Sequence, residues 1–448
     1  MNTALAPRVR TLYVAAGHSH RLCCVQEVNL RCHEKLKKEQ PDGTPIPPLL
    51  LADMTRITLG SIPEAVTSSV YLTMSFTLLL AYIAKAGDIF DSALIQITPM
   101  EACILGPMLF TVPLATTFIR GGTQALEKTN RNLTGAMLML FAAVVGWGFT
   151  HVPWELSPLA HADTSDVSAT LPIMFLSLVY HDLIPVVCHY LGFDRTRILS
   201  AVLLGSAIPL GMFVAFEAVC LGLVPFTEGV SVDPVAELIS SQGPVAGTAV
   251  AVFSLAALAT SAIGTTLSLT SFITTTLETL TSINQRPFHL PQLPQLRDPS
   301  SSAVLKSRNK RGSLPQASSS AAESESGPKP AHVCAVLLTL TPPTIASMSG
   351  TDIFMTATHL AGAYGMTALY GLLPPILAWA VRRNGEAVPA ERGQLLPGGE
   401  PVLAGLFAVG AGVFSLQLKE DVNLGGGSLQ LQYQQNWGSC PWVLQLTS

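Results

Sequence analysis

The sequence predicts an all-α integral membrane protein, and three observations carry that reading. Charged residues are 12% of the 448-residue chain and apolar types 49%, where an average soluble domain has about 25% charged residues. Mean hydropathy is +0.43. Nine apolar stretches stand out: Ser69 to Ala86, Ala102 to Ile119, Thr134 to Val152, Leu171 to Leu191, Ile198 to Val224, Gly247 to Leu280, His332 to Ser349, Asp352 to Val381 and Pro401 to Leu418. Each runs for about 18 residues or more, enough to cross a hydrocarbon core of about 30 Å as a helix. Finally, of the 21 Lys and Arg residues from Arg31 to Arg392, 20 fall in the first, third, fifth, seventh and ninth gaps around these stretches. Lys85 is the exception. Because Lys and Arg accumulate in short loops on the side from which insertion occurs, the odd gaps face the cytoplasm or its organellar equivalent.

The elements follow in order. Residues 1–24 contain Arg8, Arg10 and Arg21 and precede the first acid, Glu27, which fits either a transit segment or a plain tail. Val25 to Lys38 ends in Lys35, Lys37 and Lys38, like the inner end of a helix. A transmembrane bundle is expected over 25–282. Its outer gaps, Pro153 to Thr170 and Pro225 to Ala246, hold acids such as Glu155, Asp163, Glu228 and Asp233 and no Lys or Arg. Gly247 to Leu280 and Asp352 to Val381 exceed one crossing, so tilted, broken or extended helices are expected there. Residues 283–331 form a Pro- and Ser-rich linker with a basic run at Lys306, Arg308, Lys310 and Arg311, too polar to bury a core. The bundle resumes over 332–418. Residues 419–448, with Gly425 to Gly427 and several glutamines, show no periodicity and are left unassigned.

Polar groups inside the spans point to chemistry, because a central charge costs about 2.5–3.5 kcal/mol on insertion scales. The densest group is Ser177, Tyr180, His181 and Asp182, followed by Pro185. Proline removes a backbone donor and invites local unwinding, and interrupted helices at the midplane are where secondary transporters hold substrate and coupling ion. His181 titrates near neutral pH, which suits proton coupling; a sodium-coupled carrier would use the same geometry without titration. Along Gly247 to Leu280 most hydroxyls are expected to bond back to their own helix, with Thr260 and Ser261, just before Gly264, as the candidate ion or substrate contact. Gly362, Tyr364 and Gly365 permit close helix approach beside one aromatic wall.

Other classes are excluded by what the chain lacks. It has no P-loop, GxSxG or HExxH motif, so an enzyme or ATP-driven pump is not expected. A net charge of −4 points to no nucleic-acid partner. Eight scattered cysteines without a CxxC pair read as packing residues, and neither a metal nor another cofactor is expected.

Leu171-Pro172-Ile173-Met174-Phe175 through Tyr180-His181-Asp182 and Pro185, Tyr190-Leu191-Gly192, and Leu204-Gly205-Ser206-Ala207-Ile208-Pro209-Leu210 resemble the aromatic amino acid permeases of the tyrosine and tryptophan transport type and their plant and algal relatives. The likeness continues in Ala259-Thr260-Ser261-x-x-Gly264, Ala361-Gly362-x-Tyr364-Gly365, Gly371-Leu372-Leu373-Pro374 and Pro397-Gly398-Gly399, and covers roughly Val25 to Leu418. It implies a LeuT-type inverted-repeat helical bundle of eleven helices, of which nine spans are read here. The chain is thus expected to be N-terminally truncated relative to the family, without the first helix and most of the second.

The resemblance further implies proton-coupled symport of tyrosine or tryptophan. Substrate contacts would lie on the broken sixth helix, at Ser177, Tyr180, His181 and Asp182, and elsewhere at Tyr82 and Tyr364. Coupling would fall to His181, Asp182, Thr260 and Ser261, with proton or sodium as the ion and the lipid bilayer as surroundings. A plastid membrane is one expected location and the plasma membrane the other. Two alternatives stand beside this reading: a decayed carrier that persists as a membrane scaffold or sensor, and a carrier for another small amino acid.

Overall fold

A computed structural model describes residues 24–38, 49–93, 99–151, 183–192, 194–223, 243–284, 330–349, 353–383 and 399–425. Among these residues all regular structure is helical. The helices are α1 (24–38), α2 (Leu51–Leu59), α3 (Ser61–Ala93), α4 (Pro99–His151), α5 (Leu183–Tyr190), α6 (Arg195–Leu223), α7 (Gly243–Asn284), α8 (Pro330–Ser347), α9 (Ile353–Leu360), a π-helical segment (Ala361–Leu372), α10 (Leu373–Arg383) and α11 (Gly399–Gly425). Seven stretches are long and apolar enough to cross a membrane, and Ala331–Ser347 is a shorter apolar helix. The expected span Leu171 to Leu191 lies mostly outside the described residues.

The exposed surface supports the membrane assignment. On α6, Leu203, Leu204 and Ile208 are 59%, 66% and 66% exposed, and on α4 Met139 is 75% exposed. Water would leave these apolar faces uncovered, whereas hydrocarbon solvates them as well as protein does. The helices therefore meet through other means. A Cβ on Gly410 of α11 would stand 2.8 Å from the Gly371 carbonyl oxygen in the π segment, and one on Gly365 would stand 2.7 Å from Met74 Cγ of α3. Only glycine permits those approaches. Threonines bridge neighbours, Thr270 donating to Thr339 at 3.5 Å and Thr344 to Thr111 at 3.2 Å.

α3 is the central helix, touching α2, α4, α7, α8, α9 and the π segment. Its Leu79, Ile83 and Ala86 bury against Phe110, Leu114 and Phe118 of α4, Ala262 and Ile263 of α7, and Val336 and Leu340 of α8. Its Met74 and Leu78 meet Ala361, Met366, Leu369 and Tyr370 of the π segment. Gly60, at φ +99°, makes the break between α2 and α3 that a side chain would resist.

A second core forms where the ends of several helices converge. Cys24, Val28 and Cys32 recur every fourth residue along α1 and bury against Met54 of α2, Ile184 and Cys188 of α5, Ile198 of α6, Leu377 of α10 and Leu403 of α11. These elements flank the first, fifth and ninth gaps, so the packing brings together ends that the charge pattern groups on one side. Glu27 of α1 binds Arg382 of α10 through both carboxylate oxygens, accepting from Nε at 2.9 Å and from Nη2 at 2.7 Å, while Arg31 Nη2 donates to the same carboxylate at 3.1 Å.

Two element boundaries differ from expectation. The third gap is helical, so α4 runs unbroken for 53 residues through what reads as two spans and a loop. Ala125, Leu126, Glu127 and Lys128 are strong helix formers and no proline follows Pro113, so nothing local ends the helix. α11 continues past Leu418 to Gly425, because Lys419, Glu420 and Asp421 keep helical propensity until the glycine run.

Candidate substrate and coupling site

The sequence candidates separate into three places. Ser177, Tyr180, His181 and Asp182 lie outside the described residues. Tyr82 and Ser261 are brought together: the phenol on α3 is hydrogen-bonded to the Ser261 side chain on α7. Tyr82 is half-buried and packs on both cores that flank α3. Ser261 is exposed, and the space beside Gly264, one turn on, would admit a Cβ without contact. Thr260 instead donates to its own helix, to the Ala257 carbonyl at 2.9 Å, as most hydroxyls of this helix were expected to do.

Tyr364 lies on the opposite side of the π segment. Its hydroxyl donates to the Asp421 carboxylate of α11, and its ring meets Phe414 edge-on with centroids 5.5 Å apart. His359, at the end of α9, pairs its Nε2 with Gln417 Oε1 at 3.2 Å, and Gln417 is fully buried. Tyr82 and Tyr364 therefore belong to different helix interfaces rather than to one wall. The π geometry has a local cause as well as a consequence. Thr367 Oγ1 donates to the Gly362 carbonyl five residues back at 3.1 Å, and Ala361, Gly362, Gly365 and Gly371 carry no bulk to resist the wider turn. Such segments are frequent at functional sites.

Several polar groups in these surroundings escape composition and spacing. Lys85 is 8% exposed, with its Nζ 5.4 Å from the centroid of the Phe354 ring on α9. His359, Gln417 and Asp421 become notable only through their partners. Lys85 alone left a trace in the sequence, as the one basic residue off the cytoplasmic pattern. No group of three His, Cys, Asp or Glu side chains suited to a metal ion occurs among the described residues.

Comparison with known proteins places this architecture. The chain is 25% identical over 169 residues to tyrosine-specific transport system 1 of Haemophilus influenzae, covering 38% of this chain and 41% of that protein. It is 29% identical over 218 residues to tyrosine-specific transport system 2 of the same organism, covering 45% and 53%. Glutamine transporter 2 of Aliivibrio fischeri is 26% identical over 219 residues, covering 47% and 56%. The chain thus spans about half the length of the curated relatives it matches. The profile of the tryptophan/tyrosine permease family, by contrast, matches residues 27–417, which reach into every candidate membrane span described above, and the chain belongs to that family.

Proposed function

We propose that this protein moves tyrosine or tryptophan across a membrane as a proton-coupled symporter, by alternating access in a LeuT-type bundle. The observation that carries the reading is the family match across residues 27–417, joined to a phenol–hydroxyl pair, Tyr82 and Ser261, between the central helix and α7. Such carriers rock one group of helices against another around a fixed midplane site, and substrate and ion bias the populations of the two states.

In this reading the amino and carboxylate groups of the substrate are held around Ser177, Tyr180, His181 and Asp182, with its ring against Tyr82 or Tyr364. His181 or Asp182 changes protonation between outward and inward states, and Thr260 and Ser261 contribute hydroxyl ligands to the coupling ion. Relatives named as tyrosine transport systems support the aromatic substrate. One observation favours a second reading, a carrier for another small amino acid: a relative of comparable similarity is named a glutamine transporter.

Uptake of labelled tyrosine, tryptophan and glutamine into proteoliposomes, with an imposed proton gradient and then a sodium gradient, tests both readings. Tyrosine or tryptophan accumulation that follows the proton gradient and is lost in His181→Ala with Asp182→Asn is the expected result. Accumulation of glutamine alone favours the second reading, and no gradient-dependent uptake of any of the three overturns both.

A further inference from the structure

The seam between α1 and α5 runs from a buried core to an exposed end, and its chemistry changes along the way. At the buried end Cys24, Val28 and Cys32 of α1 pack on Ile184 and Cys188 of α5, and Asn29 meets the Cys188 thiol. Every fourth residue of a helix shares a face, so His33 follows Asn29 by one turn and Lys37 by two. On α5 His189 follows Cys188 directly. His33 is half-buried, while Lys37 and His189 are exposed. Three bases therefore gather at the mouth of the seam.

Their charges act on one another. Burial first, and then the charges of His189 and Lys37, hold His33 below its usual value of 6.5, with Glu34 of α1 as the opposing acid. The other acids of these elements are engaged elsewhere. Asp194, which starts α6, accepts from the Thr196 and Arg197 amides and pairs with the Arg197 guanidinium at 3.6 Å, and Glu27 is held by Arg382 and Arg31. Gathered bases repel, so the arrangement favours an anion seated among them. Beyond them Tyr190 is 82% exposed, its ring edge-on to the His189 imidazole with centroids 6.4 Å apart. An open aromatic ring beside bases is suited to the headgroup level of a bilayer. The charge pattern also groups the first and fifth gaps, into which α1 and α5 lead, on the side whose leaflet carries anionic lipid, where basic pockets between helices bind lipid headgroups.

We propose that the mouth of the α1–α5 seam binds the phosphate of an anionic phospholipid, with Lys37, His33 and His189 around the phosphate and the Tyr190 ring beside the lipid backbone. The assignment goes beyond the carrier reading and needs no assumption about the transported substrate. It makes two demands. The lipid must carry net negative charge, since a headgroup with its own cation competes with these bases for the phosphate, and position 37 must keep its positive charge.

Thermal unfolding of the full-length protein in micelles of an uncharged detergent, titrated with phosphatidylglycerol, phosphatidylcholine or inorganic phosphate, tests the assignment. Phosphatidylglycerol is expected to raise the melting temperature at concentrations where the other two leave it unchanged, because a ligand that binds only the folded state stabilises it. Lys37→Gln, at an exposed position, is expected to raise the half-maximal phosphatidylglycerol concentration about 5-fold, the ratio for one basic contact near a membrane surface, whereas Lys37→Arg keeps the wild-type value. Lys37→Gln joined to His33→Gln and His189→Gln is expected to remove the preference over phosphatidylcholine. Lys128→Gln with Arg131→Gln, which takes two exposed charges from α4, is expected to keep it. Each variant is compared with itself across the lipids, so a lower starting melting temperature does not mimic the loss. An equal wild-type response to phosphatidylcholine overturns the assignment. So does a preference that survives in the triple variant or vanishes in the α4 variant. An equal response to inorganic phosphate overturns it in favour of a soluble anion.

Discussion

Replacing Glu27 by alanine tests the junction that ties α1 to the bundle. The Glu27 side chain is 4% exposed and faces the Arg382 guanidinium, itself 8% exposed, through two hydrogen bonds, with Arg31 as a third contact. Arg382 Nη1 is buried and has no hydrogen-bond partner among the described residues, so Glu27 supplies the anion this guanidinium depends on there. Removing one member of a buried pair leaves an uncompensated charge, which costs about 3–5 kcal/mol. That figure is set by the stranded cation rather than by the bond itself. Glu27→Ala combined with Arg382→Met therefore recovers much of the loss, because neither charge is then buried alone.

The same site provides its own reporter. Cys24, Cys32 and Cys188 are buried in the core that Glu27 helps to close, whereas Cys334 is exposed. If α1 opens locally, labelling of the three buried thiols by a maleimide in detergent micelles accelerates by about 10²–10⁴-fold, the population change that corresponds to about 3–5 kcal/mol, while Cys334 labels at an unchanged rate. Labelling of Cys24, Cys32 and Cys188 at the wild-type rate in Glu27→Ala would refute the argument that the pair holds α1 in place.

His33 on α1 is held below its ordinary value of 6.5, first by burial and then by the positive charges of His189 and Lys37, with Glu34 opposing. The unfolded chain thus takes up the proton first, so this contribution to stability is complete above pH about 6.5 and declines as pH falls below it; a melting-temperature profile that is flatter over that range in His33→Gln is the expected outcome. Gly410→Val places a methyl-bearing carbon against the Gly371 carbonyl at 2.8 Å, a backbone atom that cannot swing aside. It is expected to cost about 1–3 kcal/mol in thermal unfolding, while Gly264→Ala, in open space, leaves the melting temperature within the range of ordinary surface changes. Tyr82→Phe deletes the bond to Ser261 with the ring kept, so a loss of about 0.5–1.5 kcal/mol in stability is expected. In the carrier reading it also weakens tyrosine uptake, measured as KM against kcat.

The membrane class and the approximate limits of most spans were legible in the chain itself, although nine stretches read as spans and seven helices long and apolar enough to cross stand among the described residues. Hydrocarbon thickness fixes how many apolar residues a crossing needs, and insertion fixes where lysine and arginine accumulate, so both are one-dimensional properties. The family resemblance is equally a matter of order and spacing. Helix limits at polar segments were less legible: α4 and α11 run on because helix formers continue past the last apolar residue, and no breaker intervenes until Gly425 in α11.

What the tertiary structure decided is which polar residues meet. Glu27 and Arg382 are 355 positions apart and Tyr364 and Asp421 are 57 apart, and in both cases neither partner's sequence neighbourhood announces the other. Tyr82 and Tyr364 read as equivalent aromatic candidates, yet one turns to α7 and the other to α11, because a helix presents its residues to whichever neighbour packs on that face. Lys85 departs from the charge pattern in the sequence, but only the packing of α3 shows it buried with its Nζ 5.4 Å from the centroid of the Phe354 ring. Membrane insertion reads composition along the chain, and recognition depends on side-chain direction across it.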